Sequence, residues 1–268
     1  MCLFSRSWWH VIDFNSFWSF FISMTTVSYQ LGQIQTMTDC IKIRPVIDHL
    51  FEVFQSVYEP RRDVGMDKSL LLWKGRLLFW QFIPLKRARF GIKIYLCCES
   101  DGGVKGSGGY CYRFKVYAGR DDPVNEVHPV ILNDALHLST SELMVIFLIA
   151  PPLGKGYKVY TDNWYTSLHL FLYLQGKQTM ACGTVTANCG VQPQLIEQPV
   201  ERSGDSVALL GDNKAVATKY HSTKIVYLLS TMHGHNELRV RNRNRMGTRR
   251  LKMSAEYNKN MGGVDQHN

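Results

Sequence analysis

The order of apolar runs along the chain constrains its fold more than any other feature of the sequence. Three strand-like runs follow one another from Asp67: SLLLWKGR, FGIKIYLCCES and GYCYRFKVYAGR. The Gly-rich loop DGGVKGSGG joins the last two and suits a hairpin. A buried helix over 141–150, a fourth strand ending at Asp162 and a helix over 166–177 come next. This order predicts an α/β fold in which helices flank one mixed sheet that begins as an antiparallel meander.

The segments before and after this region show less regular patterns. Apolar side chains at helical spacing in residues 41–58 predict a helix that begins after Pro45. ACGTVTA and KIVYLLSTM predict two further strands, separated by a polar, irregular section from about 188 to 218. Residues 1–40 form a separate aromatic segment of uncertain structure. Asp13 interrupts its apolar run, so neither a signal peptide nor a membrane span is expected.

Charge and cysteine content narrow the class of partner and compartment. The formal net charge is +9, and residues 1–60 carry three Lys/Arg against five Asp/Glu, so residues 61–268 carry +11. A basic body of this kind suggests a polyanionic partner such as nucleic acid. The seven cysteines include no C-x-x-C pair, which indicates neither a disulfide framework nor a zinc knuckle. Reduced thiols in an intracellular protein are the simplest interpretation.

Three aspartates stand at suggestive places: Asp67 at the start of the first strand, Asp162 at the end of the fourth, and Asp265 after a Gly-Gly pair. If the first and fourth strands are neighbours, the first two carboxylates converge, and a helix crossing the sheet can deliver the third. Carboxylate oxygens are ligands that Mg²⁺ and Mn²⁺ favour. Each aspartate also has a plainer interpretation, since Asp162 could cap the following helix. His233-Gly-His235 is interpreted as a polar loop rather than a metal pair.

Four segments, in order over residues 41–268, resemble piggyBac-type transposases. DKSLLLWKGRLLFWQFIPLKRARFGIKIYLCCES is similar to the segment by which that family is identified, and KIRPVIDHLFEVFQSVYEP to the helix before it. VYTDNWYTSLHL and EYNKNMGGVDQ resemble the family's second and third catalytic segments. The resemblance implies a ribonuclease H-like DDE transposase catalytic core over residues 41–268, truncated at the C-terminus. It also implies an insertion between the second and third acidic residues.

The same resemblance implies a chemistry. Asp67, Asp162 and Asp265 occupy the family's three catalytic, metal-binding positions, which hold two Mg²⁺ or Mn²⁺ ions if the protein is active. The implied reaction is cleavage of DNA at element ends, hairpin formation, and strand transfer into a TTAA target. DNA is therefore the expected partner and the nucleus the expected location. The resemblance also allows a homodimer.

Two basic segments fit a DNA substrate, through phosphate contact or, for the second, nuclear import; a solvated loop is the alternative. The first contains Lys86, Arg87, Arg89 and Lys93. The second is RVRNRNRMGTRRLK, with no acidic residue from 238 to 255. Its basic residues are Arg239, Arg241, Arg243, Arg245, Arg249, Arg250 and Lys252.

The sequence departs from the family pattern at three positions. Lys68 follows Asp67 where the family commonly has an acid, Glu99 stands where Asp is usual, and Asn268 replaces a further Asp. Lys68 and Asn268 alter the charge near the predicted site. Two functions therefore stay open: a metal-dependent DNA transposase or nuclease, and a domesticated, catalytically inactive DNA-binding or chromatin-associated protein.

Overall fold

The computed structural model describes residues 38–72, 81–84, 90–100, 109–119, 137–187, 191–212, 214–234, 237–242 and 245–267. For residues 38–44, 46, 237–242, 245–249 and 265–267 within these ranges, only the backbone is described. The predicted aromatic segment at 1–40 therefore lies almost entirely outside the described residues.

The described part of the chain contains α-helices, strands and one 3-10 helix. The α-helices are α1 (Thr38–Val57), α2 (Thr140–Ile149), α3 (Leu168–Gly176), α4 (Pro193–Glu197) and α5 (Lys252–Asn260). A 3-10 helix, Met261–His267, follows α5 directly. Among the described residues, no helix combines the length and apolar character needed to cross a bilayer.

Nine of the described strands form one mixed sheet. They are β1 (Asp63–Leu72), β2 (Gln81–Phe82), β3 (Phe90–Glu99), β4 (Cys111–Val116), β5 (Lys158–Thr161), β6 (Met180–Val185), β7 (Ser206–Leu210), β8 (Val216–His221) and β9 (Ile225–Ser230). Strands β10 (Glu237–Asn242) and β11 (Arg245–Leu251) form a separate hairpin.

The pairing of these strands confirms the predicted mixed α/β class. The order across the sheet is β2-β3-β1-β5-β6-β9-β8-β7, and β4 also pairs with β3. Strands β1, β3 and β4 are antiparallel, as the predicted meander requires, whereas β5 runs parallel to β1 and β6 parallel to β5. This arrangement is consistent with a ribonuclease H-like core. The stretch between Asp162 and Asp265 contributes β7, β8 and β9 at the far edge.

Side chains of β1 alternate between the two faces of the sheet, and this alternation decides where the site lies. Val64 and Met66 are fully buried in a core cluster formed with α2 and α3. Gly65 and Asp67 face the opposite side, where α5 and the 3-10 helix pack. On that side Leu96, the partner of Asp67 in β3, belongs to a second core cluster.

Helix α1 begins earlier than predicted. It starts at Thr38 and continues through Pro45, instead of beginning after it. A proline inside a helix removes one backbone donor, which costs stability but leaves the preceding turn possible. Pro45 is exposed, so water can solvate the carbonyl that loses its partner.

Strand β1 also begins earlier than predicted, at Asp63, so that Asp67 lies in mid-strand rather than at the strand's start. Glycine weakens a strand unless another backbone must come close to it. At this position such an approach exists, because a Cβ on Gly65 would lie 3.1 Å from the carbonyl oxygen of Asn260. Gly65 thus admits α5 to the sheet.

The section from 188 to 218 is more regular than predicted, because it contains α4, β7 and the first residues of β8. Strand β7 pairs on one side only, with β8, and most of its side chains are partly exposed. Its run SVALL is apolar but only five residues long, and the glycine and polar residues on both sides make the section look irregular.

The 3-10 helix lies directly on β3, because a Cβ on Gly263 would overlap the carbonyl oxygen of Glu99. We expect Gly263→Ala to lower the free energy of unfolding by about 1–3 kcal/mol, the usual cost of overpacking. Urea denaturation measures the change. Gly176→Ala is the matched control, since a Cβ at the end of α3 would meet nothing within 4 Å. Equal losses in the two variants would contradict the docking of the 3-10 helix on the sheet.

Candidate functional site

The parallel pairing of β1 and β5 brings Asp67 and Asp162 together. The register pairs Met66 with Thr161, the last residue of β5, and the next residue along each chain segment is an aspartate. Neighbouring strands lie about 4.8 Å apart, so residues that follow a paired position stand side by side. The first and fourth predicted strands are therefore neighbours, as the sequence suggested. The role of the two aspartates as metal ligands stays a prediction.

Asp162 is fixed by the turn that follows it. Its Oδ1 accepts a hydrogen bond from the backbone N–H of Trp164 at 3.0 Å, and its carbonyl oxygen accepts one from the Thr166 hydroxyl at 2.7 Å. The interpretation of Asp162 as the cap of the next helix is wrong. Ser167 caps α3, because its Oγ accepts from the backbone N–H of Leu170 at 3.0 Å.

Lys68 connects the two carboxylates. Its backbone N–H donates to Asp67 Oδ1 at 2.7 Å, and its Nζ lies 3.4 Å from Asp162 Oδ2. By strand alternation, the Lys68 side chain leaves β1 on the face opposite Asp67. It still reaches Asp162, because Asp162 lies beyond the end of β5. The pair is half-buried, with side-chain exposures of 26% for Lys68 and 19% for Asp162.

Two phenols border the carboxylate pair. The pKa of Tyr257, on α5, is raised to about 12. Burial is the largest cause, and the charges of Asp162 and Asp67 also contribute to this shift. The pKa of Tyr165 lies well above its ordinary value, first because of burial and then because of the same two charges. Both carboxylates therefore lie within electrostatic reach of both rings.

Lys93 lies among aromatic rings at the border of the site. Its Nζ is 4.6 Å from the ring centroid of Tyr95, 4.9 Å from that of Trp164 and 5.3 Å from that of Tyr117. Burial, followed by the charge of Lys68, lowers the pKa of Lys93 to about 8. Lys93 thus packs beside the site, while Lys86, Arg87 and Arg89 of the same predicted cluster lie outside the described residues.

The backbone of Asp265 is delivered by the 3-10 helix, which packs against β1 and β3. Val264, the preceding residue, is fully buried in the same cluster as Leu96. Leu96 is the strand partner of Asp67. The Asp265 side chain lies outside the described part, so its participation stays a prediction.

His233 anchors α5 to the sheet. Its Nε2 lies 2.6 Å from Glu256 Oε2 on α5, and its Nδ1 lies 2.9 Å from Ser230 Oγ at the end of β9. Burial opposes ionisation of Glu256, but the hydrogen bond and charge of His233, with the charges of Lys252 and Lys158, outweigh it and lower the pKa of that carboxyl. His233 lies in the irregular segment after β9, where its side chain is buried and bonded, and His235 lies outside the described residues.

Glu99, the acid at the end of β3, serves a different purpose. It is buried, and it accepts hydrogen bonds from the Tyr58 hydroxyl at 2.7 Å and from Arg61 Nε. These bonds tie the segment after α1 to the sheet. Asn268, the other substituted position near the chain's end, lies outside the described residues.

With this geometry established, comparison with known proteins identifies the family. The sequence profile described as Transposase IS4 matches residues 23–268. The chain belongs to this transposase family. It is also similar to the protein in a cryo-EM structure of piggyBac transposase in a synaptic complex with hairpin DNA, with 27% sequence identity and a TM-score of 0.65. The resemblance to piggyBac-type transposases predicted from four segments is confirmed.

The alignment with piggyBac transposase covers a much larger share of this chain than of the other. It covers 84% of this chain but 43% of that one, so this transposase-family chain spans less than half the length of the protein it resembles. The matched region includes a mixed sheet flanked by helices, as expected for the catalytic core of a piggyBac-type transposase.

The arginine-rich run of this transposase-family chain forms a hairpin rather than a loop. Its predicted DNA-binding residues lie along β10 and β11 and at the start of α5. Arg250 is exposed, and Lys252 Nζ lies 3.8 Å from Glu256 Oε1. Arg243 lies outside the described residues, and only the backbone is described for Arg239, Arg241, Arg245 and Arg249.

The site offers some, but not all, of the ligands that a hard divalent ion needs. Asp67 and Asp162 offer carboxylate oxygens, the ligands that Mg²⁺ and Mn²⁺ prefer. The described side chains, which do not include that of Asp265, contain no group of three His, Cys, Asp or Glu residues able to hold a metal ion. Lys68 adds a positive charge in contact with one of the two carboxylates.

Several residues of the site were not predicted from the sequence. Tyr257 lies within the third catalytic segment, but only the packing of α5 on the sheet brings it near Asp67 and Asp162. The partnership of His233 with Glu256 joins residues 23 positions apart on different elements. The departure at Lys68 was visible in the sequence, whereas its contact with Asp162 was not.

The position of Lys93 predicts an unusual titration. We expect its side-chain NMR resonances to titrate near pH 8, instead of near the value of about 10.4 for a solvated lysine. Lys68→Gln should raise this midpoint, because it removes a like charge, and Asp162→Asn should lower it, because it removes an attraction. Lys93→Arg assigns the resonance. A midpoint above 10 would contradict the described environment.

Proposed function

We propose that this chain is a transposase core that cleaves and transfers DNA strands by a metal-dependent DDE mechanism. One observation carries the proposal: the register of β1 and β5 places Asp67 and Asp162 side by side. Two adjacent carboxylates repel each other, so the pair favours uptake of a cation. Asp67 lies within β1 and Asp162 directly follows β5, so the nine-stranded sheet holds the pair more rigidly than loops would.

The residues around the pair would each contribute to this reaction. Divalent ions bound there would activate a water or a DNA 3′-hydroxyl and stabilise the leaving oxygen. Asp67, Asp162 and Asp265 would hold those ions, and the Trp164 amide keeps the Asp162 carboxylate in one orientation. Tyr165, which is buried, and Tyr257, which is partly buried, would limit the access of water to the site and so strengthen electrostatic interactions inside it.

DNA is the substrate that we propose. The piggyBac transposase to which the chain is similar was solved in a complex with hairpin DNA. The net charge of +9 and the arginine-rich β10–β11 hairpin support a polyanionic partner. A TTAA target, Mg²⁺ as the ion, a homodimer and a nuclear location belong to the same proposal, and the family resemblance supports them.

A second function is favoured by Lys68. Its ammonium contacts Asp162, where the family commonly has an additional acid in place of Lys68. When a lysine of the chain neutralises a carboxylate of the site, a metal ion binds there less well and catalysis can be lost. The fold and the basic, DNA-binding surface do not depend on that metal ion. The second candidate is therefore a catalytically inactive DNA-binding or chromatin-associated protein.

A nicking assay separates these functions. We expect Mg²⁺-dependent nicking of supercoiled DNA by the purified chain, and a loss of at least about 100-fold in Asp162→Asn, because a ligand of the reacting centre is removed. Asp212→Asn, at an exposed turn between β7 and β8, is the matched control and should nick at the unsubstituted rate. Nicking that persists in Asp162→Asn would exclude the DDE assignment. Salt-sensitive DNA binding without nicking would favour the second candidate.

The proposed DNA surface predicts a specific salt dependence. Affinity should fall as salt rises, and Arg250→Gln should reduce the slope of log K against log [salt] by about 1, the contribution of one phosphate contact. Fluorescence anisotropy of a labelled duplex measures both quantities. Arg202→Gln, exposed before β7, should leave the slope unchanged. A slope insensitive to Arg250→Gln would place the DNA on another surface.

A further inference from the structure

We infer that Lys68 is a built-in competitor of divalent metal at Asp162 and sets the metal affinity of the site. This inference rests on the proposed function, since it concerns the same pair of carboxylates. It goes further by assigning a role to Lys68, whose positive charge contacts Asp162 directly and opposes a metal ion there.

The contacts of Asp162 show which oxygen is contested. Its Oδ1 accepts from the backbone N–H of Trp164 at 3.0 Å and is thereby committed to the turn. Its Oδ2 is the oxygen that faces Lys68, whose Nζ lies 3.4 Å away. A divalent ion that used Oδ2 would have to displace the ammonium or accept it as a close neighbour.

The surroundings of Lys68 hold its charge near the carboxylates. Its Nζ lies 5.6 Å from the ring centroid of Trp164, a distance at which a cation is attracted to the ring face. Its backbone N–H is bonded to Asp67 Oδ1, so the start of the side chain cannot move away from the site without breaking that bond. Because the pair is half-buried, salt screens this charge less than it would screen an exposed one.

The magnitude of the competition follows from Coulomb's law. A unit charge about 5 Å from a divalent ion repels it strongly enough, even at the dielectric constant of water, to weaken binding at least about tenfold. The effective dielectric constant of a half-buried site is lower, so tenfold is a minimum. Replacement of the charge by a neutral side chain of similar length should recover this affinity.

Binding of Mn²⁺ to the full chain without DNA tests the inference independently of activity. Electron paramagnetic resonance of free Mn²⁺ gives the dissociation constant for the unsubstituted protein and for Lys68→Gln. We expect Lys68→Gln to bind at least about tenfold more tightly. Lys68→Arg, which keeps the charge, and Lys224→Gln, at the exposed turn between β8 and β9, should bind like the unsubstituted protein.

A double variant locates the effect. The gain in Lys68→Gln should disappear when Asp162→Asn is added, because the contested oxygen is then lost. Equal affinity in Lys68→Gln and the unsubstituted chain would overturn the inference, and so would a gain that survives Asp162→Asn or no Mn²⁺ binding by either protein. Lys68→Met, which retains the apolar stem, repeats the measurement if Lys68→Gln melts at a lower temperature than the unsubstituted chain.

The outcome is separable from that of the proposed function. A tenfold gain in Mn²⁺ affinity without DNA nicking by any variant would support the role of Lys68 and reject the catalytic proposal. Nicking by the unsubstituted chain with unchanged Mn²⁺ affinity in Lys68→Gln would support catalysis and reject the role of Lys68.

Discussion

Parallel pairing between β1 and β5 is the constraint on which the rest of this structure depends. Paired residues such as Asp63 and Lys158 are 95 positions apart, and the meander and α2 lie between the two strands in the chain. Once they pair, the positions of Asp67 and Asp162 are fixed by the register. A slip of one residue would turn an aspartate to the wrong face and bury a charge among Val64, Met66 and the helices above them.

Close backbone contacts, rather than long side chains, bring the third catalytic segment, EYNKNMGGVDQ, to Asp67 and Asp162. Gly65 leaves room for Asn260, and Gly263 leaves room for β3, so α5 and the 3-10 helix can lie directly on the sheet. His233 and Glu256 hold α5 from the other side, through a hydrogen bond at 2.6 Å. The sheet and α5 thus pack as one unit, and this packing fixes the positions of the charged side chains in the site.

Much of this arrangement could be predicted from the sequence. The apolar runs predict the meander, α2 and α3, and the position of Asp162 at a strand end predicts its meeting with Asp67. The beginning of β1 could not be predicted, because Gly65 is explained only by a helix 195 positions later in the chain. Strand β7 was missed because its apolar run, SVALL, is short and stands between glycine and polar residues.

The contacts of the charged side chains were harder to predict from the sequence than the strands and helices. Lys68 and Asp162 are 94 residues apart, and no local pattern announces that an ammonium on one face of β1 reaches past the end of β5. The same holds for Lys93, which was predicted as part of a DNA-contacting basic segment and lies among Tyr95, Tyr117 and Trp164. A sequence gives the residue types of a site, whereas their pairing follows from the packing of the elements that carry them.

The central claim is that folding gathers Asp67, Asp162 and Asp265 into one metal-binding pocket. Anomalous X-ray diffraction from crystals of the chain soaked in Mn²⁺ tests this claim most directly. We expect a Mn²⁺ peak between the carboxylates of Asp67 and Asp162, with the Asp265 carboxylate among its ligands. A peak elsewhere on the molecule, or an Asp265 side chain directed away from the other two, would contradict it.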